Sequence, residues 1–144
     1  MKGYKIKVWT INDPFDTIDE EASRTLLVPS SAYLYTLAEK INESFDFYFD
    51  HPFGFYDNPD PYRADEGYEL FGDIGEESEY PGVKNTPVKD VYTEIGKRML
   101  YYFDYGEGWR FGTELIEKVD MKNMDRIKTL TRSGKAPEQY PSFD

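Results

Sequence analysis

The sequence predicts a single α+β domain, and three segments carry that prediction. Residues 4–11, YKIKVWTI, alternate between apolar and polar side chains, as a strand with one buried face does. Apolar residues within 32–45 recur at helical spacing, with charged residues on the opposite side. Residues 98–119 alternate on both sides of a Gly-Glu-Gly turn, which predicts a hairpin of aromatic strands. A chain of 144 residues with 17% aromatic side chains is long enough to build one core.

Three shorter elements are predicted between these segments. Residues 24–29, RTLLVP, indicate a second strand, which its terminal proline ends. Residues 53–56, FGFY, indicate a third short strand. Residues 87–95 are typical of a short helix with Pro87 in its first turn.

Two segments are predicted to be irregular. Residues 57–87 combine many acids with glycine and proline, so we expect a long surface excursion with one brief strand at GYELF. Loops of this length in compact domains are often functional. The tail, 131–144, is expected to be an extended strap that docks on the body through Tyr140 and Phe143.

The hairpin can be predicted residue by residue. If residues 106–108 form a three-residue loop with Gly108 in the left-handed conformation, each pair of facing residues follows. The expected pairs are Tyr105 with Trp109, Phe103 with Phe111, Met99 with Leu115 and, on the other face, Asp104 with Arg110. A shift by one residue would place every side chain on the wrong face.

Composition excludes several classes of function and site. The chain has no cysteine, so disulfides, thiolate metal sites and a cysteine nucleophile are excluded. No stretch is long and apolar enough for a membrane span, and the N-terminus lacks the pattern of a signal peptide, so the expected location is the cytoplasm. The net charge of -11 opposes general binding to nucleic acid.

The charge is unevenly distributed along the chain. Residues 57–80 hold nine acids and one base, Arg63, whereas residues 118–135 hold six bases and two acids. We expect these two segments to screen each other across the surface. The alternative is a nucleic-acid contact through the basic stretch 118–135, although that stretch has no interleaved aromatic residues for base stacking.

His51, the only histidine, stands in the stretch FDHPFGFYDN among acids and aromatics. One interpretation is structural: Pro52 forces the residue before it toward extended geometry, and the ring packs on Phe53 or Phe55 with a nitrogen bonded to the backbone or to Asp50. The other interpretation is a divalent-metal site. Its four expected ligands, within eleven residues of each other, are Asp50, His51, Asp57 and Asp60. The sequence indicates no other cofactor.

The chain resembles the plasmid Ri ORF-three-like family, a small bacterial and archaeal family also found in mobile elements. The resemblance is carried by RTLLVPSSAYLYTLAEKI, FDHPFGFYDN and LYYFDYGEGWRF. The hairpin motif of this family is matched by Asp104, Tyr105, Gly106, Glu107 and Trp109. Its aspartate–histidine pair and the aromatic run after it are matched by Asp50, His51, Phe53 and Phe55. The resemblance implies a curved, mostly antiparallel sheet packed against helices, and it implies no activity.

The sequence leaves three functional hypotheses. The preferred one is a non-catalytic module that binds a protein or a small ligand, with His51, Tyr105, Trp109 and Phe111 as candidate binding residues. No residue is assigned a catalytic role. The first alternative is a divalent-metal-dependent hydrolase that uses the four metal candidates above, and the second is contact with nucleic acid through residues 118–135. A fold by itself does not decide among them.

Overall fold

The structure, a computed structural model, describes residues 2–11, 22–121 and 127–141. These residues form a seven-stranded antiparallel sheet with the strand order β4-β3-β5-β6-β1-β2-β7. The strands are β1 (Lys2–Ile11), β2 (Ser23–Pro29), β3 (Phe53–Tyr56), β4 (Gly67–Glu69), β5 (Arg98–Phe103), β6 (Trp109–Asp120) and β7 (Lys128–Ser133). The predicted α+β fold with an antiparallel sheet is therefore confirmed.

Helices cover one face of this sheet, called here the inner face. They are α1 (Leu34–Ser44) and α3 (Val88–Val91). Two shorter elements, a 3-10 turn at Pro61–Arg63 and the helix α2 (Leu70–Asp73), lie between β3 and α3 in the chain. The apolar stripe of α1 is fully buried against the strands. The first amides of α1 are satisfied by a later segment, since Leu34 N donates to Thr86 O at 3.0 Å and Tyr35 N donates to Val83 O at 3.2 Å.

The inner-face core is rich in aromatic rings. Tyr101, Phe103 and Phe111 are completely buried on β5 and β6, and Phe45 at the end of α1 packs on Phe111 with ring centroids 5.0 Å apart. The hydroxyl of Tyr101 donates to Asn42 Oδ1 at 2.7 Å, which satisfies the one polar group of this ring inside the core. No helix among the described residues is long and apolar enough to cross a membrane.

The predicted hairpin is present, but its predicted register is wrong by two residues. Phe103 faces Trp109, Tyr101 faces Phe111 and Met99 faces Thr113. The turn has five residues instead of three, because Asp104 adopts a left-handed φ of 63° and ends β5. Its carboxylate accepts the amides of Gly106 and Glu107, a local bond that favours aspartate at such a position. Gly108 has the expected left-handed φ, 72°.

A register shift of two residues keeps each side chain on its predicted face, so the hairpin core survives the error. The predicted pair of Asp104 with Arg110 does not form. Arg110 instead faces Tyr102, and its guanidinium carbon lies 4.9 Å from the centre of that ring. Tyr105 leaves the ladder altogether and belongs to the turn.

The two irregular segments contain more structure than their composition indicates. The brief strand expected at GYELF is present as β4, and α2 follows it directly. The helix predicted at 87–95 covers only Val88–Val91. The first residues of the predicted strap belong to β7, which pairs with β2, and Tyr140 further on donates to Asp50 Oδ2 at 2.5 Å. Phe143 lies outside the described residues.

Candidate functional site

Part of residues 57–87 packs on the outer face of the sheet, next to the β4 edge, whereas Val83 and Thr86 contact the start of α1. Tyr56, Leu100 and Tyr102 are buried there in a second, smaller apolar cluster. The ring of Tyr80 packs edge-to-face on Tyr56, with centroids 5.9 Å apart, and its hydroxyl donates to Ala64 O at 2.8 Å. The acidic excursion is therefore anchored to the sheet by aromatic packing.

A cavity of about 420 Å³ opens between this excursion and the hairpin turn. We call it the tyrosine pocket. Its lining consists of four tyrosines, one phenylalanine, one proline and two glutamates: Tyr56, Tyr62, Tyr80, Tyr105, Phe71, Pro61, Glu69 and Glu79. Phe71 and Tyr105 form one corner with their ring centroids 4.9 Å apart, and 76% of Tyr62 is exposed. The volume lies in the range of about 300–1,000 Å³ that is usual for small-ligand sites.

Glu69 lies at the centre of a hydrogen-bond chain in this pocket. One carboxylate oxygen accepts from the hydroxyl of Tyr56, and the other accepts from Ser78 Oγ at 2.6 Å. The hydroxyls of Tyr56 and Tyr105 are 2.6 Å apart. A carboxylate can only accept, so Tyr56 uses its proton on Glu69 and Tyr105 must donate to Tyr56. All the protons donated in this chain of hydrogen bonds therefore point toward Glu69.

The two tyrosines of this chain are held in the neutral form. Burial raises the pKa of Tyr56 well above its ordinary value, and the hydrogen bond to Glu69 raises that pKa further. Burial likewise raises the pKa of Tyr105. At physiological pH both side chains are therefore uncharged, and the charge of the pocket comes from its carboxylates.

Gly54 makes the chain of hydroxyls sterically allowed. It lies on β3 opposite Glu69 on β4 and opposite Tyr102 on β5. A Cβ atom at Gly54 would lie 2.6 Å from the Tyr56 hydroxyl and 2.8 Å from the Tyr105 hydroxyl, closer than such contacts occur. The missing side chain therefore provides the space in which the two tyrosine hydroxyls meet.

A second cavity, of about 640 Å³, adjoins the tyrosine pocket and shares part of its wall. It adds Glu77 and Ser78 to the shared residues Glu69, Phe71, Glu79 and Tyr80. The segment behind it is fixed by Asp73, whose carboxylate accepts the amide of Val83 at 2.8 Å. None of the described residues that line the two cavities is basic.

His51 lies near the hairpin turn and contacts Asp104. Its Nε2 atom is 3.2 Å from Asp104 Oδ2, and its Nδ1 atom is 2.7 Å from the carbonyl oxygen of Asp50. The ring stacks on Phe103 with centroids 6.1 Å apart, and not on Phe53 or Phe55 as the sequence suggested. The expected bond from the ring to the Asp50 backbone is present. Because Asp104 also holds the amides of the turn, His51 braces the loop that carries Tyr105.

The four predicted binding residues are not brought together in one cavity. Tyr105 lines the tyrosine pocket. Phe111 is fully buried on the inner face, and Trp109 packs edge-to-face on Phe47 with centroids 4.9 Å apart. His51 contacts the turn before Tyr105 and lines neither of the two cavities described above.

The four predicted metal ligands lie at the two ends of β3. Asp50 and His51 precede the strand, whereas Asp57 and Asp60 follow it, and four strand residues span roughly 13 Å. Asp57 accepts the amide of Asp65 at 2.9 Å, and Asp60 accepts the amide of Tyr62 at 3.0 Å. In the part of the chain that the structure describes, no three histidine or acidic side chains are arranged to hold a metal ion.

The acidic segment and the β7 part of the basic stretch lie at opposite edges of the sheet, whereas Lys118 belongs to the interior strand β6. The acidic excursion adjoins β4, the first strand in the sheet order, and the basic stretch contains β7, the last. Seven strands about 4.8 Å apart separate these edges by roughly 29 Å. Within the described ranges no ion pair joins the two segments. Residues 122–126 of the basic stretch lie outside the described residues.

The sequence pattern of plasmid pRiA4b ORF-3-like proteins matches residues 5–139 of this chain. The chain belongs to this family. The protein of unknown function MM3350 from Methanosarcina mazei Go1 has a similar fold, with a TM-score of 0.72 and 18% identity over 96% of this chain and 72% of that one. At this identity the likeness concerns the fold alone. No curated protein matches the sequence.

In this member of the pRiA4b ORF-3-like family, the two motifs that carry the resemblance meet in space. His51 comes from the aspartate–histidine motif, and Asp104 and Tyr105 come from the hairpin motif. The contact between His51 and Asp104 joins the two motifs at the turn. Both motifs therefore contribute to the loop that carries one wall of the tyrosine pocket.

Sequence reasoning missed most of the pocket. Tyr56, Glu69, Phe71 and Tyr80 were not among its candidate residues, because the acidic excursion gave no regular pattern. One signal was available. In the strand pattern GYELF, Gly67 stands two positions before Glu69, and in FGFY, Gly54 stands two positions before Tyr56. Pairing these two strands places Gly54 opposite Glu69.

Proposed function

We propose that this protein is a non-catalytic binding module whose ligand site is the tyrosine pocket. One observation carries the proposal: five aromatic rings, those of Tyr56, Tyr62, Phe71, Tyr80 and Tyr105, line a cavity of about 420 Å³. Aromatic rings supply large contact areas for a ligand at a low cost in conformational entropy. The rigid sheet beneath fixes their positions, since Tyr56 belongs to β3 and Tyr105 to the braced turn after β5.

The polar groups of the pocket favour binding over catalysis. A nucleophilic mechanism needs a hydroxyl with a free base beside it. Ser78 Oγ donates to Glu69 at 2.6 Å and accepts the amide of Tyr80 at 3.2 Å, so its hydrogen-bonding capacity is used in holding the loop. The two oxygens of Glu69 each accept a hydroxyl proton, and neither buried tyrosine ionises at physiological pH. These groups form a fixed wall.

The ligand consistent with this cavity is a small molecule or a single side chain of a partner protein. The pocket has a volume of about 420 Å³, and the buried side chain of Tyr56 is part of its lining. A flat protein interface of standard size would need about 800 Å² on each partner. The tyrosine pocket alone does not offer such an area, so we assign it to one inserted group.

Fragment screening by two-dimensional amide NMR tests this proposal. A library of small neutral, cationic and anionic fragments is titrated into the ¹⁵N-labelled protein, and shifted amides are mapped onto the sheet. We expect the largest shifts at Glu69, Phe71, Tyr80 and Tyr105. Hits that map to the smaller crevice of about 190 Å³ beside Leu100 and Gly112, or to no cavity at all, would overturn the assignment.

A pair of variants on α2 and its end sharpens the test. Phe71→Ala removes one wall of the tyrosine pocket, whereas Ile74→Ala trims an exposed apolar side chain that lines neither cavity. Binding of the fragment hits should weaken in Phe71→Ala and stay unchanged in Ile74→Ala. Equal weakening in both variants would mean that the effect comes from the stability of the excursion and not from contact with the ligand.

A further inference from the structure

We propose that the group bound in the tyrosine pocket is an organic cation, a quaternary or protonated ammonium. This inference rests on the proposed function, and it names the chemistry of the ligand. Its basis is the combination of electron-rich ring faces and carboxylates within one cavity: Tyr56, Phe71, Tyr80 and Tyr105 with Glu69 and Glu79.

The rings supply the first part of the attraction. A cation over the face of a tyrosine or phenylalanine ring is attracted by the quadrupole of the ring, and several rings around one ammonium form the known type of aromatic cage. Phe71 and Tyr105 meet at an interplanar angle of 42°, so their faces form a corner and do not stack flat against each other. Tyr56 and Tyr80 also line the cavity, and they pack edge-to-face on each other at 83°.

The carboxylates supply the second part. Glu69 is held by two hydroxyl groups, which stabilise its charge but do not neutralise it. Glu79 lines both cavities, and Glu77 adds a third carboxylate at the adjoining one. Arg63, next to the lining residue Tyr62, pairs with Asp60 at 3.5 Å and is largely exposed, and Lys84, five residues after Glu79, lies over the ring of Tyr35. The lining therefore has a negative charge that a bound cation would balance.

Other ligand classes fit this lining less well. An anion would be repelled by the carboxylates of Glu69 and Glu79. A neutral apolar ligand would match the rings but would remove water from a carboxylate without replacing it by an opposite charge, which is unfavourable. A bare metal ion needs several free oxygen ligands, and both oxygens of Glu69 are occupied by hydroxyl donors. A quaternary ammonium has no N–H donor and needs no free lone pair, so rings and through-space charge suffice for it.

The experiment compares choline with 3,3-dimethyl-1-butanol, which has nearly the same shape and no charge. Both are titrated into the intact protein by amide NMR and calorimetry. We expect choline to shift the amides around Phe71, Tyr80 and Tyr105, and to bind at least ten-fold more tightly than the neutral alcohol. Its affinity should fall as salt is added, since the carboxylates are partly solvated.

Two matched pairs of variants separate the contributions of ring and charge. Phe71→Leu keeps an apolar side chain and removes the ring, and it should weaken choline binding roughly 2- to 30-fold. Ile74→Ala is its control. Glu79→Gln removes a lining charge, whereas Glu76→Gln removes one from the same exposed segment outside both cavities. Only the first of these two should weaken choline binding.

A third probe distinguishes the two sources of such a cation. A short peptide with a central trimethyllysine represents a side chain of a partner protein, and choline represents a free ammonium metabolite. Tighter binding of the peptide would assign the pocket to a modified protein tail, and tighter binding of choline would assign it to a small molecule. Either result supports the cation.

Failure of this inference differs from failure of the proposed function. If the neutral alcohol binds in the pocket as tightly as choline, the ligand is not selected by charge, and the cation inference is overturned while the binding site stands. The same conclusion follows if only neutral or anionic fragments map there. If no fragment of any charge maps to the pocket, both proposals are wrong.

Discussion

The two edges of the sheet are built in opposite ways. At the β4 edge, part of residues 57–87 packs on the outer face and lines a cavity with aromatic walls. At the other edge, β7 is almost entirely exposed, and 44% of Leu130 is accessible to solvent. The acidic segment belongs to the first edge, and Lys128 and Arg132 of the basic stretch belong to the second. A run of like charge can therefore line a site at one edge and support the fold at the other.

The bases near the β7 edge show the supporting role. Arg24 Nε and one terminal nitrogen of Arg132 both donate to the carbonyl oxygen of Ser44, at 2.7 and 2.8 Å. Ser44 is the last residue of α1, where unpaired carbonyls and the helix dipole favour positive charge. Part of the basic stretch thus caps a helix. This role weakens the hypothesis that the stretch contacts nucleic acid.

The largest effect is expected from Gly54→Ala at the β4 side. The added Cβ would collide with the hydroxyls of Tyr56 and Tyr105, so the chain that holds Glu69 must move. We expect the free energy of unfolding to fall by about 1–3 kcal/mol, the usual cost of overpacking. Urea denaturation measures it. Gly72→Ala is the matched control, because a Cβ there has no neighbour closer than 4.0 Å. Equal losses in both variants would contradict the steric argument.

The second-largest loss in the free energy of unfolding is expected for Tyr56→Phe at neutral pH. The substitution leaves Tyr105 without its acceptor and Glu69 without one of its two donors. Loss of a hydrogen-bond partner in a partly buried site costs about 1–2 kcal/mol. Tyr62→Phe is the control, since the ring of Tyr62 is 76% exposed at the mouth of the pocket. Urea midpoints that are the same for both variants would mean that the hydrogen bonds of Tyr56 with Glu69 and Tyr105 do not stabilise the fold.

The same variant changes the dependence of stability on pH above about 10. The pKa of Tyr56 is raised in the folded chain by burial and by Glu69, so the unfolded chain loses this proton first as the pH rises. The unfolded state then binds fewer protons than the folded state, and the free energy of unfolding falls. Without the hydroxyl, this decline should be shallower by up to about 1.4 kcal/mol per pH unit. A free energy of unfolding that declines equally in the native protein and in Tyr56→Phe between pH 8 and 11 would contradict this expectation.

Local patterns predicted the elements of this fold better than their pairing. The stripe of α1 and the alternation of β5 and β6 depend on neighbouring residues, and both are where the sequence placed them. The predicted hairpin register was wrong because of one residue, Asp104. Its carboxylate accepts an amide of its own turn, so Asp104 ends the strand and does not pair with a residue of β6. The sequence held a signal for the pairing of β3 with β4 but none for the contact between Tyr56 and Tyr105, which are 49 residues apart and meet only through the strand order.

A smaller effect is expected from His51→Ala. The ring loses its contact with Asp104 and its stacking on Phe103, but it is about one-third exposed, so water can replace part of both. We expect a loss of about 1 kcal/mol, at the lower end of the cost of a removed hydrogen bond. His51→Gln, which can still donate to Asp104, should recover part of it. Amide shifts confined to residues 104–108 would show that His51 braces the turn. A loss above about 3 kcal/mol would indicate a deeper role in the core.

The smallest effect is expected at the β7 edge, from Leu130→Lys. Leu130 is the extra residue where the pairing of β2 with β7 shifts register, between Thr129 and Thr131, and its side chain is 44% exposed. An exposed substitution of this kind changes the free energy of unfolding by less than about 0.5 kcal/mol. A lysine on an open edge also discourages pairing with another chain. A loss above about 1 kcal/mol that grows with protein concentration would mean that a second copy covers this edge. The contrast would then lie between a small-ligand site at β4 and a protein interface at β7.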